Sequence, residues 1–186
     1  MGVSSCELRV VPAEPADLET VRAAYAHGRT LQLRAGPLCW SEFDDSRILD
    51  EMARECLWRV TDAGRTAGVF SVAYEDAAIW GERERGMHVY VHRIARSPEW
   101  NSRGLIEAIF AWADDRCRAL GRSGLRLDTW ASSTRLSALY ERLGFEVVET
   151  RRLEADARLG PHYHGNEFAL MERALGEGVN AAVDTH

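Results

Sequence analysis

The sequence predicts a mixed α/β domain. Three observations carry that reading: short alternating apolar segments bounded by Gly and Pro, apolar stripes at helical spacing over Ala16–His27 and Asn101–Leu120, and a strand–helix–strand–helix–strand order in the second half of the chain.

The elements follow in order. Cys6–Val11 alternates and reads as a short strand that Pro12 and Pro15 end. Ala16–His27 places Leu18, Val21, Ala24 and Tyr25 on one helical face, with Asp17 near its start and Gly28 as its stop. Thr30–Phe43 is less regular, and Ser46–Glu55 reads as a second helix. Cys56–Thr61 and Thr66–Tyr74 flank Asp62-Ala63-Gly64-Arg65, a hairpin signal. Glu75–Gly86 is a polar loop broken by Ile79-Trp80, and Met87–Ala95 is a strong strand. Asn101–Leu120 is a helix with Ile106, Ile109, Phe110, Ala113, Cys117 and Leu120 on its apolar stripe. Leu125–Trp130 is a strand, Thr134–Leu143 a helix stopped by Gly144, and Phe145–Thr150 and Glu167–Ala174 are the last strands.

The chain has 186 residues, which suits one domain, read here as residues 1–175 with a small, polar, disordered tail over 176–186. Hydrophobic residues make up 46% and charged residues 28%, enough for a sizeable core. No apolar run is long enough to span a membrane, and Met1–Arg9 lacks the layout of a signal peptide, so a cytoplasmic protein is expected. The net charge of −6 weighs against general nucleic-acid binding and suits a cationic small molecule better. All 23 basic residues are Arg. With no Lys, Schiff-base and P-loop chemistry are both excluded. Cys6, Cys39, Cys56 and Cys117 are scattered and read as buried free thiols.

Pro98-Glu99-Trp100-Asn101-Ser102-Arg103-Gly104 opens a helix with a Gly and free amides, an arrangement that attracts phosphate. Taken with His92-Arg93-Ile94-Ala95-Arg96-Ser97-Pro98, Leu127-Asp128-Thr129-Trp130-Ala131 and Leu139-Tyr140-Glu141-Arg142-Leu143-Gly144-Phe145, it resembles the GCN5-related N-acetyltransferase superfamily, from about Leu8 to Arg173. The resemblance implies a mixed, roughly seven-stranded sheet splayed between its fourth and fifth strands and flanked by about four helices. It implies acetyl-CoA, or another acyl-CoA, in the gap, transfer to a small amine through a tetrahedral intermediate, and frequent homodimers.

Residue by residue, it implies that Ile94, Ala95 and Arg96 pair with the pantetheine arm. Asn101, Ser102, Arg103, Gly104 and Leu105 hold the pyrophosphate, and Ser133 lies nearby. Tyr140 matches the general acid that protonates the departing thiolate; a phenol of pKa ~10 can do this while staying neutral at pH 7. His92 matches a base, and an imidazole of pKa ~6.5 suits that task. Alternation puts His88, Tyr90, His92 and Ile94 on one strand face. Glu75 and Asp76 are rival bases or amine anchors, and Asp128 orients a neighbour. Trp40, Phe43, Trp80 and Tyr90 would line the acceptor pocket, with His162 and His164 as loop contacts rather than metal ligands; no metal is expected.

The chain departs from the family at two loop positions. Asn101 stands where Gln or Arg is usual, and Ile106 where a small residue lets the backbone approach the phosphates; Ser133 also replaces a frequent Asn. These departures leave two alternatives: another acyl donor or reaction, and a non-catalytic ligand-binding domain.

Overall fold

The computed structural model describes residues 7–101 and 103–176. Cys6, Ser102 and residues 177–186, each given a reading above, lie outside the described residues. The strands are β1 (Arg9–Pro12), β2 (Leu57–Asp62), β3 (Arg65–Ala73), β4 (His88–Arg96), β5 (Gly124–Trp130), β6 (Glu146–Arg152) and β7 (Glu167–Ala174). The helices are α1 (Leu18–Ala35), α2 (Asp45–Ala53), α3 (Ala77–Trp80), α4 (Leu105–Ala119) and α5 (Thr134–Arg142).

All seven strands form one sheet, ordered β1-β2-β3-β4-β5-β7-β6. The β4–β5 pair is parallel, and the other neighbours are antiparallel. The ladder between β4 and β5 covers only His88–Tyr90 against Gly124–Arg126. Beyond Tyr90 the strands part, while β5 stays paired with β7 through Trp130. The sheet therefore opens into a V at the C-terminal ends of β4 and β5, as the resemblance implies.

One face of the sheet packs under α4, through Leu105, Ile109, Phe110, Ala113 and Cys117. The other face carries α1 and α2 at one end, around Val21, Tyr25, Ile48 and Leu57. At its other end α3 and the β6–β7 loop enclose Trp80, Tyr90, Leu153 and Leu170.

Several boundaries differ from the sequence reading. Gly28 does not stop α1, which continues to Ala35. A single Gly costs a helix only ~1 kcal/mol, and here it makes room: a Cβ on Gly28 would meet the Trp40 ring at 3.0 Å. The polar loop after β3 contains α3, because Ile79 and Trp80 find a buried site there. Helix α4 begins at Leu105 rather than Asn101, because Gly104 turns left-handed (φ 91°) immediately before it. Leu120 leaves the apolar stripe and is exposed where that helix ends. Ala63 and Gly64, both at positive φ, make the predicted hairpin turn between β2 and β3. Of the thiols among the described residues, Cys117 is buried, and Cys39 and Cys56 are half-buried.

Gly68 sets how closely α4 approaches the sheet. A Cβ there would lie 2.7 Å from the Ala95 carbonyl oxygen and 2.8 Å from Leu105 Cδ2. Gly68→Ala is therefore expected to destabilise the fold by about 1–3 kcal/mol, read as a lower midpoint in urea denaturation.

Candidate active site

The site is built on β4. Arg93 adopts a positive φ of 50°. Opposite it the β3–β4 register slips between Val69 and Ser71. This bulge interrupts the alternation. His88, Tyr90 and His92 do share a face, their rings 6.5 and 6.4 Å apart in succession. Ile94 does not join them: the extra residue turns it to the α4 side. The same bulge sets the side chains of consecutive residues, His92 and Arg93, along the same two cavities.

His92 lies between two carboxylates. Its Nε2 is 3.3 Å from Asp76 Oδ2, and its Nδ1 is 3.1 Å from Asp128 Oδ1. Neither buried oxygen has an aligned donor, so these are ion-pair contacts. Burial alone would push the imidazole pKa down. Asp128 and Asp76 outweigh it and raise it to about 10. At neutral pH His92 is therefore an imidazolium, which corrects its reading as a base with an ordinary pKa.

His162 shows the opposite. Burial is the main cause that lowers its pKa to about 4. Its Nδ1 accepts the Ser41 amide N–H at 3.2 Å and lies 2.9 Å from the Ser41 hydroxyl. The ring fits because Gly160 has no Cβ, which would otherwise meet His162 Cε1 at 2.8 Å.

These two histidines give a pH prediction with opposite signs. The raised pKa of His92 stabilises the fold fully below about pH 6.5, and this contribution is lost as pH rises towards about 10. The lowered pKa of His162 makes the unfolded chain bind a proton first, so stability falls as pH drops from about 6.5 to about 4. Thermal melts are expected to peak near pH 6–7, and His92→Gln is expected to flatten the alkaline limb alone.

The V between β4 and β5 forms a cleft of about 500 Å3. A second cavity of about 190 Å3 lies between β3, α2 and the β6–β7 loop. His92, Arg93, His162 and Tyr163 line both. Of the expected cofactor residues, Ile94, Ala95, Arg96, Arg103, Gly104 and Leu105 line the cleft, as does Ile106. Tyr140 also lines it, from α5, its ring edge-on to Phe110 and Phe145. Burial first, and Asp128 second, raise its phenol to about 12.

Asn101 is not a cleft residue; its Oδ1 accepts from Arg96 Nη1 at 3.1 Å. Ser133 is also absent from the cleft wall and caps α5, its carbonyl accepting the Leu136 and Ser137 amides.

Of the expected acceptor residues, Trp40 and Asp128 line the cleft, Phe43 the second cavity, and His162 both. Trp80 and Tyr90 are instead wholly buried. Arg126 lies 4.3 Å over the Trp80 ring and donates to the Tyr90 hydroxyl, which fixes both as core. Glu75 is exposed and lines neither cavity; its neighbour Asp76 reaches His92 instead. His164 turns away, its Nε2 3.2 Å from the Asp156 carbonyl. Among the described residues no three His, Cys, Asp or Glu are grouped to hold a metal ion.

The sequence reading gave no role to Arg93, Glu51, Arg47 or Tyr163. Arg93 and Glu51 form a buried pair at 2.6 Å, between β4 and α2. A buried partner 42 residues away in sequence leaves no local spacing signal. Half-buried Tyr163 stands beside Asp128, its hydroxyl held well above the ordinary range chiefly by desolvation.

A sheet that splays beside a glycine-started helix, with a proton-holding tyrosine and a charged histidine in the gap, defines a group-transfer enzyme of the acyltransferase class. The model of the acetyltransferase (GNAT) family matches residues 26–145, more than half of the chain, and the chain belongs to that family. A curated relative, the uncharacterized N-acetyltransferase YesJ of Bacillus subtilis, is 31% identical over 73 residues. That match spans 39% of this chain and 41% of the relative's length. A GNAT-family acetyltransferase structure from Listeria monocytogenes superposes with a TM-score of 0.72 at 19% identity, over 94% of this chain and 99% of that one. The putative acetyltransferase yncA from Salmonella typhimurium, solved with acetyl-CoA, gives 0.64 at 17% identity, over 92% and 95%. None of the described helices is long and apolar enough to cross a membrane.

Proposed function

We propose that this chain is an acetyl-CoA-dependent N-acetyltransferase that acylates a small amine by direct attack on the thioester. The observation that carries the reading is the Asp76–His92–Asp128 cluster where the cleft meets the second cavity, with Tyr140 on the cleft wall.

The cleft suits the donor. Past Tyr90 the β5-facing edge of β4 has no strand partner, which leaves backbone groups of residues 91–96 for an extended amide-containing arm. Arg103, exposed and without an ion pair among the described residues, stands at the start of α4 for phosphate. Acetyl-CoA would supply the acetyl group and a thiolate leaving group.

The chain's own residues handle the protons. Two carboxylates and one imidazolium carry one net negative charge, which attracts an ammonium. The cluster takes the amine's proton on a carboxylate, with His92 fixing both carboxylates in place. Tyr140 keeps its proton across the neutral range and donates it to the departing sulfur. Free thiols at Cys39, Cys56 and Cys117 support a reducing, cytoplasmic setting.

Calorimetric titration with acetyl-CoA tests the reading. The wild type is expected to bind. Arg103→Ala is expected to weaken binding in a salt-dependent way, and Ile106→Gly to strengthen it by relieving crowding at the cleft. Absence of binding in all three proteins would overturn the donor assignment.

A further inference from the structure

The second cavity carries charge of two signs at two ends. At one end Asp76 and His92 belong to the cluster described above. At the other, two guanidinium groups share one carboxylate. Arg93 Nη2 is 2.6 Å from Glu51 Oε2, and Arg47 Nε is 3.3 Å from Glu51 Oε1. Glu51 is buried and Arg93 nearly so, with side chains 8% and 11% exposed. The other two arginines on the cavity wall already have their own acids: Arg54 pairs with Asp50, and Arg158 with Asp156.

One positive charge therefore remains over at the Arg47–Glu51–Arg93 end. Arg93 Nη2 and Nε also reach Ser71 Oγ at 2.8 and 3.1 Å, yet its buried Nη1 has no hydrogen-bond partner. Phe43 and Tyr25 stack near the guanidinium, at 5.1 and 5.8 Å, and hold its plane without satisfying that nitrogen. Arg47, at the same carboxylate, is 5.9 Å from the Phe43 ring and about half exposed. Arg guanidinium groups so placed favour a carboxylate, which they meet with paired N–H donors.

We infer that the acceptor is a small amino acid, whose ammonium faces the Asp76–His92–Asp128 cluster and whose carboxylate is held by Arg93 and Arg47. This rests on the acetyltransferase reading and narrows its amine to a zwitterion. The bulge at Arg93 is what sets the two charged ends on one cavity, because it brings neighbouring side chains of β4 to the same wall. The space of about 190 Å3 suits a compact molecule.

The test is coenzyme A release from acetyl-CoA by the full chain, with a panel of free amino acids, each beside its decarboxylated amine. The amino acid is expected to have a kcat/KM ~10–100-fold above that of the matching amine, the range of a charge-assisted pair. Arg47→Gln, on a half-exposed side chain, is expected to raise KM for the amino acid ~10-fold. Its effect on the decarboxylated amine is expected to be several-fold smaller, an asymmetry that a general loss of structure would not give. Equal kcat/KM for acid and amine, an equal effect of Arg47→Gln on both, or no turnover of either set by protein that binds acetyl-CoA would overturn the inference. Failure to bind acetyl-CoA would instead remove the acetyltransferase reading, and this inference with it.

Discussion

Asp128→Asn is expected to lower kcat/KM for the amine by ~100-fold or more, the range for losing a positioned proton-transfer group. The substitution keeps the shape of the side chain and removes its charge. Asp128 is one of the two carboxylates that hold His92 charged, so its loss also lowers the imidazole's pKa from about 10. In the wild type, His92 stays protonated across the neutral range and gives the rate no inflection there. In the variant, the imidazole begins to titrate at lower pH, and the pH–rate profile is expected to acquire a new limb. A residue that merely packs would lose stability without reshaping that profile. Steady-state rates from pH 6 to 9, with melting temperatures at each point, separate the two outcomes. An unchanged profile with an unchanged rate would remove Asp128 from the proton path.

Tyr140→Phe is expected to reduce turnover by ~10–100-fold while acetyl-CoA affinity stays nearly constant, because only a proton donor is lost. The ring itself is secured by Phe110 and Phe145, each with its centroid 6.1 Å away, and Phe keeps those contacts. Burial holds the phenol protonated up to about 12, so the donor form is fully populated at working pH. A poorer leaving group than coenzyme A thiolate should suffer more from the change, and a better one less. Comparing acetyl thioesters of different thiol acidity checks this. Wild-type turnover in the variant would reduce Tyr140 to packing.

The fold was readable because its signals are local. The Ala63-Gly64 turn, the alternation of β4 and the apolar stripe of α4 each lie within a few residues, and the order of elements follows from them. The cleft was readable through the motif around Arg103-Gly104 and Tyr140, which lie on the elements that form it. What the sequence hid depends on backbone exceptions and on distance along the chain. A left-handed conformation at a non-glycine residue, Arg93, gives no compositional warning, yet it decides which face Ile94 and Arg93 take. The charge state of His92 depends on Asp76 and Asp128, which reach it from the β3–α3 turn and from β5. Trp80 and Tyr90 looked like pocket aromatics, because nothing local reveals that Arg126 closes over them.

The junction of the cleft and the second cavity has a kinetic consequence. His92, Arg93, His162 and Tyr163 line both, so the two spaces meet at these residues. None of these four suits a covalent acyl carrier: His92 is charged, Arg93 is tied to Glu51, His162 is a weak nucleophile because burial lowers its pKa to about 4, and the Tyr163 hydroxyl stays protonated. Cys56, the thiol on the lining of the second cavity, has its pKa raised by burial and stays a thiol, so the acyl group has no activated carrier to wait on once the first product departs. Donor and acceptor must therefore be bound together when the acyl group moves. Double-reciprocal plots at several fixed acceptor concentrations are expected to intersect rather than run parallel, and incubation with acetyl-CoA alone should add no mass to the protein.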